Sequence, residues 1–143
     1  MRVPKSPRSS ANTVRVVDVL TYPAVQLLDV TGPIQVFASA NDCVSRTGGA
    51  PPYRLRVVAQ GGEGVTASAG VALAAGALTR VDEALDTLLV AGGEGAEAAA
   101  ENPVLVNWVR ERAVQARRVA PGAEEPERPG LPVEDGLGAE IQR

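Results

Sequence analysis

VRVVDVLTYPAVQLLDVTGPIQVF, from Val14 to Phe37, places two apolar runs on either side of Thr21-Tyr22-Pro23 and then changes period. The first run, Val14–Leu20, is short and rich in β-branched residues, which predicts a buried strand interrupted by Asp18. The second, VQLLDV at 25–30, carries Asp29 and ends at Thr31-Gly32-Pro33. From there Val36, Phe37, Ala40 and Val44 recur at helical spacing. The pattern predicts a helix over 32–45, with Thr31 as N-cap and Pro33 in the first turn, where a missing N–H costs nothing.

Tyr53–Ala59, YRLRVVA, alternates and then turns continuously apolar, as a strand does when its later part is covered; Gly61, Gly62 and Gly64 end it. Residues 65–78 are small and predict a short hairpin or an extended excursion. Val81–Ala84 reads as one helical turn, Asp86–Ala91 as a central parallel strand ending in Gly92-Gly93, and Glu97–Glu101 as a short Ala-rich helix or turn. Asn102-Pro103 opens a stronger helix over 103–116, along which Leu105, Trp108, Val109, Arg112 and Ala113 recur. Arg110, Arg112, Arg117 and Arg118 gather towards its C-terminal end, where the macrodipole favours cations, and read as a solvated helix end. Arg117–Ala120 starts another strand. The expected fold class is α/β: an incomplete flavodoxin-like three-layer sandwich around a mostly parallel sheet, with part of the sheet left uncovered.

With 143 residues, 45% of them hydrophobic, and a formal charge of −3, the chain suits one domain that buries roughly two thirds of its extended surface. Aromatic content of 3% means a core of Val, Leu and Ala. The single cysteine, Cys43, permits no internal disulfide, and the absence of histidine removes the usual general base and the commonest metal ligand. No metal or cofactor is expected. No apolar stretch approaches the roughly 20 residues of a membrane span, and the N-terminus lacks the apolar core of a secretory signal. A cytoplasmic protein with no membrane contact follows as the expectation.

Residues 1–12 hold Arg2, Lys5 and Arg8 among Pro and Ser and read as a disordered leader; the domain is expected over 13–120. Residues 121–143 set six acidic side chains against two arginines among four prolines and four glycines, a composition read as a disordered acidic tail. The abrupt shift at Pro121 predicts a broken reading frame or premature end, with the remaining half encoded downstream.

The blocks YPAVQLLDVTGPIQVF, YRLRVVA, LLVAGG and N-P-x-L-x-x-W-V-R together resemble the N-terminal part of the DJ-1/PfpI domain, of the class I glutamine amidotransferase-like group. The version fused to AraC-type DNA-binding domains in transcriptional regulators is most similar, with isonitrile hydratase-like enzymes as neighbours. The resemblance spans about residues 14–120. It implies an α/β sandwich, often dimeric, in which Asp29 matches the acidic residue near the nucleophile and Gly93 lies in a turn whose backbone lines the pocket. The family's nucleophile elbow, usually bearing cysteine, would follow Arg118-Val119-Ala120. Here Pro121-Gly122-Ala123 stands in its place, and no cysteine follows.

Asp29, Gly32, Gly92 and Gly93 are therefore the candidate pocket residues, with no catalytic residue assigned. Asp29 reads either as a local cap or Asx-type acceptor or as a pocket carboxylate. Gly92-Gly93 reads either as a plain turn or as backbone that approaches a ligand and stabilises an oxyanion. The expected function is a non-catalytic, truncated ligand-sensing or dimerisation domain of an AraC-type regulator, forming a homodimer, taking an unknown small molecule and not binding specific DNA by itself. The alternatives are a DJ-1/PfpI-like hydrolase or isonitrile hydratase-like enzyme, and a protein-interaction fragment.

Overall fold

A computed structural model describes residues 13–122, so the expected leader over 1–12 and all of the expected 121–143 tail but its first two residues lie outside the described residues; Pro121, expected in the tail, instead closes a strand and pairs with Val90. The strands are β1 Arg15–Leu20, β2 Tyr53–Ala59, β3 Val65–Thr66, β4 Ala72–Leu73, β5 Gly76–Ala77, β6 Thr87–Val90 and β7 Arg118–Pro121. The helices are α1 Leu27–Arg46, α2 Ala96–Glu101 and α3 Pro103–Gln115, and a 3-10 turn occupies Gln60–Gly62.

One five-stranded sheet has the order β5-β2-β1-β6-β7, and every neighbouring pair in it is parallel. The crossover from β1 through α1 to β2 runs one way across the sheet, and that from β6 through α2 and α3 to β7 runs the other. Right-handed connections therefore put α1 on one face and α3 on the opposite face. The α/β sandwich with a parallel sheet is as the sequence predicts. Residues 65–73 form the hairpin, β3 pairing antiparallel with β4, and β5 then returns to the sheet beside β2.

Central β1 is covered on both faces: Val17, Val19 and Leu20 are buried, as are Val58 of β2 and Leu88 of β6. Asn102 caps α3 through Oδ1, which accepts from the Val104 and Leu105 N–H groups. The helix then packs Leu105, Trp108 and Arg112 inward, and the Trp108 indole N–H donates to the Thr79 carbonyl at 2.7 Å.

Four sequence expectations change. α1 begins at Leu27, a turn and more before the predicted start, so Thr31 lies inside the helix, its hydroxyl donating to the Leu27 carbonyl, and Pro33 is an interior residue. Leu27-Leu28-Asp29-Val30 is helical because only Val25 and Val30 need burial there, while Leu28 stays exposed. Val81–Ala84 forms a turn without helix. Arg112 is no solvated helix end: it is fully buried and faces Asp18 of β1. Asp18 does not interrupt the strand, because it accepts from Arg56 Nε at 2.6 Å, Thr79 Oγ1 at 2.8 Å and Arg112 Nη2 at 3.4 Å. A buried carboxylate tolerates such a position when its charge is matched and its lone pairs are filled.

Candidate functional site at the carboxyl edge of the sheet

Chain order reverses between β1 and β6, the kind of switch point at which open parallel sheets leave a crevice outside their carboxyl ends. Three segments meet there: the β1–α1 loop 21–26, the β6–α2 loop 91–95 and the end of β7. Ala24 holds a left-handed φ of 59°, unusual for a residue with a Cβ. Hydrogen bonds hold it there, its N–H to the Thr66 carbonyl at 2.9 Å and its carbonyl to the Gly95 N–H at 3.1 Å.

Asp29, in the first turn of α1, reaches across 63 positions of sequence to accept the Gly92 N–H on Oδ2 at 2.9 Å. The Gly92 carbonyl in turn accepts the Gln26 N–H at 2.8 Å. Gly92 is thus clasped on both sides by the start of α1. Gly93 has a φ of 133°, and a Cβ there would run into the Gln26 nitrogen, so only glycine allows the two loops to close this tightly.

Of the four candidate residues, the structure brings Asp29, Gly92 and Gly93 together. Gly32 stands apart: beyond its chain neighbours and its own helix backbone, nothing lies within 4 Å of where its Cβ would be. Two further residues belong to the arrangement and escaped the sequence reading. Gly122 follows β7 and donates its N–H to the Val90 carbonyl, and a Cβ on it would fall 2.7 Å from Asp29 Oδ2. Tyr22 is 4% exposed and donates its hydroxyl to the Ala91 carbonyl at 2.5 Å. Burial first, and the nearby Asp29 charge second, push its phenol above the ordinary value, so it remains a proton donor. The Thr-Tyr-Pro break after β1 is the available signal for Tyr22; for Gly122 it is its place in Pro121-Gly122-Ala123, where the resemblance puts the nucleophile elbow.

Two hollows flank the end of β7 and share Val90, Pro121 and Gly122. One, of about 330 Å³, lies towards α2 and α3 and is walled by Leu20, Tyr22, Leu105 and Val109. The other, of about 240 Å³, lies towards α1 and takes in Leu28, Asp29 and Pro33. Both are mostly apolar, with Asp29 as the ionisable side chain of the second. Because the Gly92 N–H already points at a carboxylate, it is poorly placed to receive a developing oxyanion, which that charge would repel. Cys43 is exposed, well along α1 from this edge. Among the described residues no group of His, Cys, Asp and Glu side chains is arranged to hold a metal ion, and no helix is long and apolar enough to cross a membrane.

No protein-family model matches the chain. It is 39% identical over 102 residues to an uncharacterised protein of the cpoL 5' region of Streptomyces lividans, a match covering 71% of this chain and 68% of that protein. A ThiJ/PfpI family protein from Pseudomonas syringae superposes with a TM-score of 0.65 at 21% identity, over 85% of this chain and 48% of that one. Drosophila melanogaster DJ-1beta gives 0.53 at 22% identity, over 76% and 55%. An AraC family transcriptional regulator from Pseudomonas putida gives 0.53 at 20% identity, over 71% and 62%. The chain spans roughly half to three fifths of the length of these solved structures. It belongs to the family of the Streptomyces lividans protein, and its fold is that of the DJ-1/ThiJ/PfpI superfamily, which some AraC-family regulators share.

Proposed function

We propose that this chain is a non-catalytic ligand-sensing domain of the kind found in AraC-type regulators, holding a small, mainly apolar molecule at the carboxyl edge of its sheet. The observation that carries the reading is the engagement of Asp29 Oδ2 by the Gly92 N–H, with an apolar hollow beside it. The carboxylate is used to fix backbone, and its second oxygen supplies an acceptor for a donor group on a ligand. A sensing role needs only that ligand binding favour one arrangement of the clasped loops. The fold is shared with the AraC family transcriptional regulator from Pseudomonas putida.

A second reading, a DJ-1/PfpI-like hydrolase or isonitrile hydratase-like enzyme, draws support from the same edge. A carboxylate and a protonated phenol lie near one another there, and such pairs can move protons. One experiment separates the two. The full chain is titrated with cyclohexylamine and, as the charge-reversed control, cyclohexanecarboxylate, followed by amide NMR, while small amides, isonitriles and methylglyoxal are assayed for turnover. Sensing predicts saturable shifts at Asp29, Gly92 and Gly122 with the amine alone, weakened in Asp29→Asn, and no product. Turnover that survives purification and is lost in Cys43→Ser or Asp29→Asn establishes the enzyme instead.

A further inference from the structure

β7 flanks the sheet on one side, and among the described residues no strand lies beyond it. Its Arg118 and Gly122 N–H groups donate to the Asp86 and Val90 carbonyls on the β6 side. Alternation along a strand then turns the N–H and C=O of Val119, and the C=O of Pro121, away from β6. Pro121 has no N–H, so Val119 holds the one complete donor and acceptor pair that the strand presents outward. The strand is exposed along its whole length, and an open edge of this kind is a template for another strand.

The charges along the edge select its partner. Arg117 and Arg118 stand at the start of β7, and Asp29 lies at its end. A Cβ on Gly122 would fall 2.7 Å from Asp29 Oδ2, so Gly122 faces α1, and by alternation Ala120 and Arg118 face it too. An antiparallel copy of the same strand therefore brings a cation to the Asp29 hollow, whereas a parallel copy sets arginines beside arginines. The register follows as well. Centred on Val119, the two Val119 residues exchange both hydrogen bonds, each Arg117 N–H meets the other copy's Pro121 carbonyl, and Arg118 lies opposite Ala120. Centred on Arg118, the pairing sets two guanidinium groups directly opposite, which is unfavourable, and centred on Ala120 it keeps only the Val119 N–H as donor.

We propose that β7 is a homodimer interface, in which two copies pair antiparallel about Val119 and each lends its Arg118 to the Asp29 hollow of the other. Gly122, over which Asp29 sits, is the diagonal neighbour of the partner's Arg118, within reach of a long side chain. Arg118 is half exposed, and its own-chain contact with Asp86 is as long as 3.9 Å, so it is loosely held. A carboxylate accepts about four hydrogen bonds, which leaves the Gly92 contact of Asp29 in place. On the opposite side of the sheet β5 is two residues long, so the isologous pairing closes at two copies. The interface rests on the β7 edge and stands whether or not the hollow takes a ligand.

The full chain is sedimented over a range of concentrations, and its mass is expected to rise from one copy to two. Val119→Pro is tolerated on an edge whose N–H faces outward, removes one hydrogen bond per copy and is expected to raise the dissociation constant about thirtyfold. Arg118→Glu, at a half-exposed side chain, sets like charge against Asp29 and is expected to weaken the dimer about tenfold, with the parent's circular dichroism. In a Cys43→Ser background, Val119→Cys places two thiols across a pair with Cα atoms about 5.5 Å apart and is expected to cross-link with oxidised glutathione. Ala120→Cys stands diagonally from its counterpart, beyond about 7 Å, and is expected not to. The proposal is overturned if the chain stays a single copy at every concentration, if a dimer forms that neither Val119→Pro nor Arg118→Glu weakens, or if Ala120→Cys cross-links in place of Val119→Cys.

Discussion

Asp18 is the residue on which most of the buried polar structure depends. It lies fully buried in the central strand and takes hydrogen bonds from Arg56, Thr79 and Arg112. Arg112, equally buried, has the Glu83 carbonyl at 2.7 Å and Gln115 at 3.0 Å as other acceptors, while its Nε has no partner among the described residues. Removing the carboxylate leaves a buried guanidinium whose remaining hydrogen-bond acceptors are all neutral. Asp18→Ala is therefore expected to cost about 3–5 kcal/mol, read as a fall in the urea midpoint at constant slope. Asp18→Val combined with Arg112→Leu, which removes both charges and fills the space, should cost less than Asp18→Ala alone. A loss below about 1 kcal/mol for Asp18→Ala would mean that the network contributes little to holding α3 on the sheet.

At the scale of elements, α1 and α3 show opposite outcomes of the same reasoning. The Asn102-Pro103 start of α3 could be read directly, because an N-cap is a local device whose side chain and backbone partners lie within three residues. Asn102→Ala should accordingly cost about 1 kcal/mol, measurable by thermal melting. The start of α1 was misread because Pro33 looked like a first-turn proline, whereas the Gln26–Gly92 and Asp29–Gly92 bonds pull the helix back to Leu27. Those bonds join residues more than 60 positions apart, and no local pattern encodes them. The same distance hid the Asp18–Arg112 pairing, 94 positions apart, so an inward arginine at helical spacing passed for a solvated one. Strands β1, β2 and β6 were readable because burial on both faces gives continuous apolar runs. Interior Pro33 carries a testable cost. It cannot donate to the Asp29 carbonyl, so Pro33→Ala should raise stability by up to about 3 kcal/mol, and an unchanged melting temperature would show that α1 accommodates the missing hydrogen bond without cost.

Across the whole molecule, protection should fall from the middle of the sheet to the β7 side, where the flanking strand has every residue exposed. β1 pairs on both sides and has four buried residues in succession, so its amides should exchange slowest. β7 is held by its pairing with β6 and by the anchor at its start, where Arg117 donates to Asp86 at 2.8 and 3.1 Å and Arg118 lies 3.9 Å away. The Arg117 hydrogen bond is the main cause that lowers the Asp86 carboxyl below its ordinary 3.8. A depressed carboxylate contributes stability in full above the unfolded value and loses it as pH falls through the lower folded value. Acidification below about pH 4 should thus release β7 before the centre of the sheet opens. Hydrogen exchange at pH 6 and pH 3, corrected for the intrinsic chemical rate, is expected to show protection lost at Val119 and Ala120 while Val17–Leu20 remain protected. Asp86→Asn should show the loosened β7 already at pH 6 and little further change on acidification. If β7 stays as protected as β1 at pH 3, pairing with β6 alone holds the strand, and the Arg117–Asp86 contact is a surface pair of little weight.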